Sequence, residues 1–391
     1  MTPPPWFPPS EMYSVRDFGE MISDAGRFGS YAKAIARAVR PGDTVAEIGC
    51  GSGVFSLLAC RAGARRVFAI ESEHCIHFAR QLSAANGFTD RIEFFQSDSR
   101  KTELPERVNV IISDLRGVLP LHGNAIQAIE DARQRFLAPG GIMIPQRDTL
   151  KAAVIDADKF YSRLTSPWQK LVPEVDLSPA LLPALNQLYS STFKNDQLLT
   201  QAQNWGLLDY TVGAAIRLVA ELDFHAEREA TAHGLCLWFE TNLFEGIGYS
   251  SGPEAAGTVH GQLFLPWVEP VPLEKGQSIQ IKLHADPVGQ DYTWRWETRI
   301  SATANTAELN FQQSSFQGEH FSPQLLRRAA ADYVPVLTEA GQADLWMLKR
   351  MDGSASLQII AQSAAERFPR HYSSSHEAFL RAAELYRDFS R

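Results

Sequence analysis

The sequence has 391 residues, 45% of them hydrophobic and 21% charged, which suggests two or three globular domains. That balance excludes a wholly disordered or fibrous chain. Lys and Arg number 37 against 45 Asp and Glu, so the net charge of −8 argues against a nucleic-acid-binding surface.

The chain opens MTPPPWFPPSEMYS, whose prolines predict an extended lead-in and which lacks a basic flank followed by an apolar run. No stretch approaches the roughly 18 apolar residues of a membrane-spanning helix. Phe18, Met21, Ile22, Tyr31, Ile35 and Val39 recur at helical spacing, with an interruption around residues 26–29, and predict two short helices. Strand-like runs at 44–48, 66–70, 92–96 and 108–112 then alternate with helical stretches at 54–61 and 74–86, the rhythm of βαβ units on a parallel sheet. A helix at 125–136 and a Pro-Gly-Gly stop leading to a further strand end this region near residue 145.

Beyond Pro145 the pattern is β-rich, with runs at 150–155, 211–222, 234–240, 260–264, 278–283 and 292–300, and predicts an antiparallel barrel or sandwich. Within it, residues 177–203 are rich in Leu, Ala, Asn and Gln and read as a helical excursion. Helical patterns return from residue 323 onward. The expected fold is therefore α/β plus β: lead-in and lid helices at 1–40, a Rossmann-like domain at 41–146, a β-barrel domain at 147–315 and a helical domain at 316–391. Cys50, Cys60, Cys75 and Cys236 form no CxxC pair and no Cys/His cluster, so neither a metal site nor a disulfide framework is indicated, and a cytoplasmic location fits.

The segment Glu47-Ile-Gly49-Cys-Gly51-Ser-Gly53 joins a predicted strand to a helix, and its glycines let the backbone pass close to a ligand at positive φ. Glu71, at the tip of the next strand, can accept both hydroxyls of a ribose. Asp98, with Ser99 beside it, either accepts the adenine amino group or simply forms a Ser-Asp-Ser turn. Dinucleotide sites usually read GxGxxG; this GxGxG preceded by an acid resembles the S-adenosylmethionine (SAM)-dependent methyltransferases.

Around that core, Phe18-Gly19, Met21-Ile22, Asp24, Arg27, Tyr31 and Ala34-Ile35 resemble the cofactor lid of the protein arginine methyltransferases. The stop at 137–145, the Gly234-Leu-Cys-Leu-Trp238-Phe239-Glu240 run, Ser250–Pro253 and Gly261-Gln262 continue the resemblance in the family's order. It implies that Arg27 pairs with the cofactor's methionine carboxylate, that residues 177–203 form a homodimerisation arm and that the acceptor is a peptide or protein side chain.

The family's acceptor loop carries two glutamates that grip a guanidinium. Here it reads Ser113-Asp114-Leu-Arg116-Gly117-Val-Leu-Pro-Leu-His122-Gly123: Asp114 takes the first position, one methylene shorter, and Gly123 the second. Arg116 adds a cation where an arginine acceptor needs the opposite, unless Asp114 neutralises it. His260 stands in for the family's Thr-His-Trp loop and either orients Asp114 or the acceptor, or is a structural hydrogen-bonder; His122 is a second candidate base. N-methylation of arginine is one expectation. O-methylation of a carboxylate held by Arg116 is another, and a catalytically silent SAM- or peptide-binding scaffold a third.

In the last seventy residues or so, Tyr333-Val-Pro-Val-Leu337, Asp352-Gly353 and Leu357 through Phe368-Pro369 resemble the PqqD-type winged-helix module, which implies leader-peptide recognition. The same residues would serve a plain structural cap. Asp352-Gly353 is expected to turn, Ser354 or Ser356 to cap the next helix, and Leu357, Ile360 and Ala364 to face its core.

Overall fold

The computed structural model describes residues 13–169, 172, 174–255, 258–289, 291–304, 306–319, 322–328 and 330–389. The proline-rich opening, apart from its last two residues, lies outside them. The chain divides into two compact units, one ending at His320 and the other beginning at Phe321.

In the first unit, α1 (Val15–Ser23) starts on a capping box in which Ser14 and Asp17 bond each other's backbone N–H. Asp24 caps α2 (Ala25–Ala38) by accepting the Arg27 N–H. The break thus falls at Asp24, and the expected interruption at 26–29 lies inside α2. There follow β1 (Thr44–Ile48), α3 (Val54–Ala62), β2 (Arg66–Glu71), α4 (Ile76–Ala85), β3 (Ile92–Gln96), β4 (Val108–Ser113), α5 (Ala125–Phe136) and β5 (Leu137–Ile144). The five strands form a parallel sheet in the order β3-β2-β1-β4-β5. β1 is buried along its whole length, as a strand covered on both faces must be. The chain reverses its direction of travel across the sheet between β1 and β4, and that crevice is where such sheets take ligands.

The second part comprises β6 (Arg147–Ile155), α6 (Asp158–Gln169), α7 (Leu181–Leu185), β7 (Tyr189–Ser191), β8 (Gln203–Asp209), β9 (Leu218–His225), β10 (Ala230–Phe244), β11 (Ile247–Ser250), β12 (Gln262–Leu273), β13 (Ser278–Val288), β14 (Asp291–Ile300) and β15 (Leu309–Ser314). One antiparallel sheet runs β7-β12-β10-β6-β8, with β11 added to β10; the other runs β15-β14-β13-β9. Strict alternation on β14 sends Trp294, Trp296, Thr298 and Ile300 inward and Arg295, Glu297 and Arg299 outward. Trp205, Leu235, Trp267, Leu283 and Trp296 share one core with Ile48, Phe68 and Ile111 of the parallel sheet, so the two parts are fused through a continuous apolar interior.

Residues 177–203 do not form the expected helix. Only α7 and two single turns are helical there, β7 joins the antiparallel sheet beside β12, and the long helix of this excursion is α6, further upstream. Pro183 and Pro179 remove backbone donors and keep the helical pieces short.

The second unit contains α8 (Pro323–Arg328), α9 (Glu339–Leu348), α10 (Leu357–Arg367) and α11 (Ser375–Phe389). Ser356 caps α10, Gly353 has φ +86°, and Ile360 and Ala364 are buried in a core with Met347, Ala378 and Leu385. Ser354 instead bonds Asp352. Among the described residues this unit is helical, as expected, with no strand, and the Tyr333–Leu337 run, interrupted by Pro335, is unpaired.

Candidate functional site

Gly49, Gly51 and Gly53 hold φ of +70°, +51° and +72° at the C-terminal edge of β1. A Cβ would meet the Leu115 side chain at Gly49, the Phe18 ring at 2.8 Å at Gly51 and Ala79 Cβ at 2.9 Å at Gly53. Only glycine fits all three. Glu71 closes one side: its Oε2 accepts the Gly51 N–H at 2.9 Å and its Oε1 the Glu73 N–H at 3.0 Å. Each oxygen keeps a lone pair for a further donor such as a ribose hydroxyl.

Glu47 is buried beneath the turn and accepts a hydrogen bond from the Ser56 hydroxyl. Burial outweighs that bond and pushes its carboxyl up to about 8, with Glu71 and Asp114 adding to the rise. Asp98 accepts from the Arg100 guanidinium at 2.6 Å and from its N–H at 2.9 Å, and the bonds from Arg100 hold its carboxyl below the ordinary range. Its carboxylate caps the turn at Ser99–Lys101, and the buried Ser99 gives its carbonyl to Arg135 at 2.7 Å.

Across the crevice, Asp114 sits just past β4 between two guanidinium groups. Arg27 Nε donates to Oδ2 at 2.7 Å, and Arg116 Nη1 donates to Oδ1 at 2.8 Å. Burial alone would raise the Asp114 carboxyl, but Arg27 and then Arg116 override it and hold it low. Arg116 spends every donor: Nε and Nη2 reach Asp148 at 2.9 and 3.1 Å, Nη1 also reaches the Tyr31 hydroxyl at 2.6 Å, and Nη2 also reaches Thr241 Oγ1 at 2.9 Å. Tyr210 adds a bond to Asp148 at 2.7 Å, and Tyr31 donates to the Ser113 carbonyl at 2.8 Å.

Arg116 thus has no donor left for the anionic acceptor that the loop alone suggested it would hold. Its charge is cancelled by Asp148, a residue of β6 that the sequence reading missed. A signal existed: Asp148 is in phase with the inward-facing Leu150, Ala152 and Val154, and an acid at a core-facing strand position needs a buried cation.

His260 lies against the acceptor loop but bonds neither Asp114 oxygen. Its Nδ1 is 2.9 Å from the Gly117 carbonyl and its Nε2 3.1 Å from the Tyr249 hydroxyl. Burial pulls the imidazole below its ordinary value, against the Asp114 charge. His122 is exposed and leans over Gly117, where an added Cβ would stand 3.1 Å from its ring. Gly123 offers only its N–H, 3.4 Å from Asp291. Among the described residues no cluster of three His, Cys, Asp or Glu could hold a metal, and no helix is long and apolar enough to cross a membrane.

Residues 45–141 match the methyltransferase domain family. The chain is 28% identical over 247 residues to a probable protein arginine N-methyltransferase 6 of Arabidopsis thaliana, covering 60% of this chain and 55% of that protein. It is 26% identical over 301 residues to protein arginine N-methyltransferase 1 of Schizosaccharomyces pombe, covering 74% of this chain and 87% of the relative. It spans about half the length of the first curated relatives, 55%, 46% and 53% of three of them. Among solved structures, the Trypanosoma brucei PRMT1 enzyme–prozyme heterotetrameric complex with AdoHcy superposes with a TM-score of 0.71 at 21% identity, over 76% of this chain and 97% of that one. Arabidopsis thaliana protein arginine methyltransferase 10 gives 0.68 at 20% identity, over 77% and 97%. Residues 45–141 thus form a methyltransferase domain, and by sequence and by fold the chain resembles the protein arginine methyltransferases.

Proposed function

We propose that the chain transfers the methyl group of SAM to a guanidinium nitrogen of an arginine in a peptide or protein, leaving S-adenosylhomocysteine. The observation that carries this reading is the pairing of Arg27 with Asp114 across the crevice from the glycine turn and Glu71, an arrangement with a cation for an amino-acid carboxylate and an anion for an acceptor. Gly49, Gly51 and Gly53 would admit the nucleoside, Glu71 would take its ribose hydroxyls, Arg27 its carboxylate, Glu47 would support the turn, and Asp98 with Ser99 would border the adenine. Bound there, SAM supplies a methyl group already activated by its sulfonium. The residues of this chain then have to align the acceptor and exclude water. Asp114, held ionised by Arg27 and Arg116, suits charge stabilisation of a guanidinium better than proton abstraction.

The O-methylation reading needs a cation free to hold a carboxylate, and the saturated donors of Arg116 disfavour it. Incubating the protein with SAM and arginine-containing peptides, followed by fragmentation mass spectrometry, tests both: methylarginine is expected, and an alkali-labile ester or no product would sink the arginine reading.

Two further proposals concern partners. The excursion between β6 and β8 would seat a second copy of the chain, which light scattering on the purified protein checks. The helical unit would bind a leader peptide, supported by its own core and capped α10; fluorescence anisotropy with a labelled precursor peptide checks that. A cytoplasmic location accords with four unpaired cysteines.

A further inference from the structure

Tyr249 on β11 is linked through His260 to Gly117 of the loop that follows β4. It pairs with Thr241 across the sheet, and Thr241 is itself a partner of Arg116. The Tyr249 ring stands 6.4 Å from that of Tyr31, and the charges of Asp114, Arg116 and Arg27 all act on its hydroxyl. That hydroxyl meets His260 Nε2 at 3.1 Å, and His260 Nδ1 lies 2.9 Å from the carbonyl of Gly117, three residues beyond Asp114, whose two oxygens are shared between two arginines.

The proton positions follow from the partners. A carbonyl only accepts, so the His260 nitrogen at 2.9 Å from the Gly117 oxygen carries hydrogen. Burial disfavours a second proton on the ring, so Nε2 is a lone pair and the Tyr249 O–H donates to it at 3.1 Å. The Phe239 ring, 5.1 Å from His260 and edge-on, keeps the imidazole in place. With its hydrogen donated to His260, the phenolic oxygen has only lone pairs left for a further partner. Burial also pushes the phenol far above its ordinary value, so the oxygen stays neutral.

Resting on the arginine reading above, we propose that Tyr249 determines acceptor specificity by accepting an N–H of the substrate guanidinium on its phenolic oxygen, with His260 as the positioning residue that aims it. The acceptor is thus gripped by one carboxylate and one neutral oxygen rather than by two anions. A guanidinium suits this pair because its donors fan out in one plane and can reach two separate oxygens, which an ammonium does less well.

The test uses the full chain, SAM and a synthetic peptide carrying one arginine among glycines and serines. Tyr249→Phe should raise the peptide KM about tenfold, as expected for one lost hydrogen bond to a charged group. The calorimetric Kd for S-adenosylhomocysteine should stay within about twofold, since the substitution leaves Arg27 and Glu71 in place. His260→Phe should reproduce the rise in KM in the wild-type background and add nothing to Tyr249→Phe, whereas a merely structural histidine would add its own effect. An unchanged KM in Tyr249→Phe, additive effects, or an equal loss of S-adenosylhomocysteine affinity would overturn the assignment. A wild type that methylates no arginine overturns the arginine reading itself and takes this assignment with it.

Discussion

Arg116 and Asp148 form a two-bond ion pair, Nε to Oδ2 at 2.9 Å and Nη2 to Oδ1 at 3.1 Å, with the Asp148 side chain wholly removed from water. The pair joins the acceptor loop to the first strand of the antiparallel sheet. Removing one partner strands the other charge in the interior, which costs about 3–5 kcal/mol, whereas replacing both with apolar side chains is often neutral. Asp148→Ala should therefore lower the unfolding free energy by about that much, and Arg116→Met combined with Asp148→Leu should lose distinctly less. Urea denaturation of the three proteins decides it; equal losses would show that the two charges do not compensate each other.

Glu71 is the acid that the proposed cofactor site leans on. Glu71→Ala removes an ionised acceptor of ribose hydroxyls, worth about 1.5–3 kcal/mol, or roughly 10- to 100-fold in SAM affinity. Titration calorimetry reads the change. An unaltered Kd would place the nucleoside elsewhere.

Glu47 gives the stability a pH dependence. Its carboxyl is raised from an ordinary 4.5 to about 8 by burial, so between those values the folded chain holds a proton that the unfolded chain has released. The unfolded state binds fewer protons there, and the contribution of this group to stability falls as pH rises from about 4.5 to about 8, then levels off. Glu47→Gln should abolish that part of the slope, so that the variant gains on the wild type by a few kcal/mol at most between pH 5 and pH 8. Denaturant melts at several pH values check the sign; a parallel pair of curves would count against a buried, protonated Glu47.

The helical unit has its own core of Ala343, Met347, Ile360, Ala361, Ala364, Ala378, Ala382 and Leu385. Expressed alone, residues 322–391 should fold to a helical domain with a cooperative thermal transition, near the lower size limit for an unaided core. Circular dichroism shows whether it does. A featureless melt would mean that this core is insufficient by itself.

Much of the fold is legible in the sequence because its signals are local. The buried run Thr44–Ile48 ends in glycines whose positive φ no other residue tolerates there, and β14 alternates residue by residue. Misreadings arose where composition stood in for pattern. Residues 177–203 carry helix-forming side chains, yet prolines and the open edge of β12 claim them for short turns and a strand. In the tail, the capping serine and the apolar face of α10 are legible.

The chemistry of the first turn was determined by the sequence itself, since five consecutive residues and an acid one strand later carry it. The network around the proposed acceptor site was decided by tertiary structure alone. Arg116 looks like an anion holder until Asp148, 32 residues on, arrives at hydrogen-bond distance, and Tyr249 looks like an ordinary strand tyrosine until its hydroxyl meets His260 Nε2 at 3.1 Å. Coulomb and hydrogen-bond energies depend on separation in space over a few ångströms, and no spacing along a chain encodes that separation before the sheets have packed.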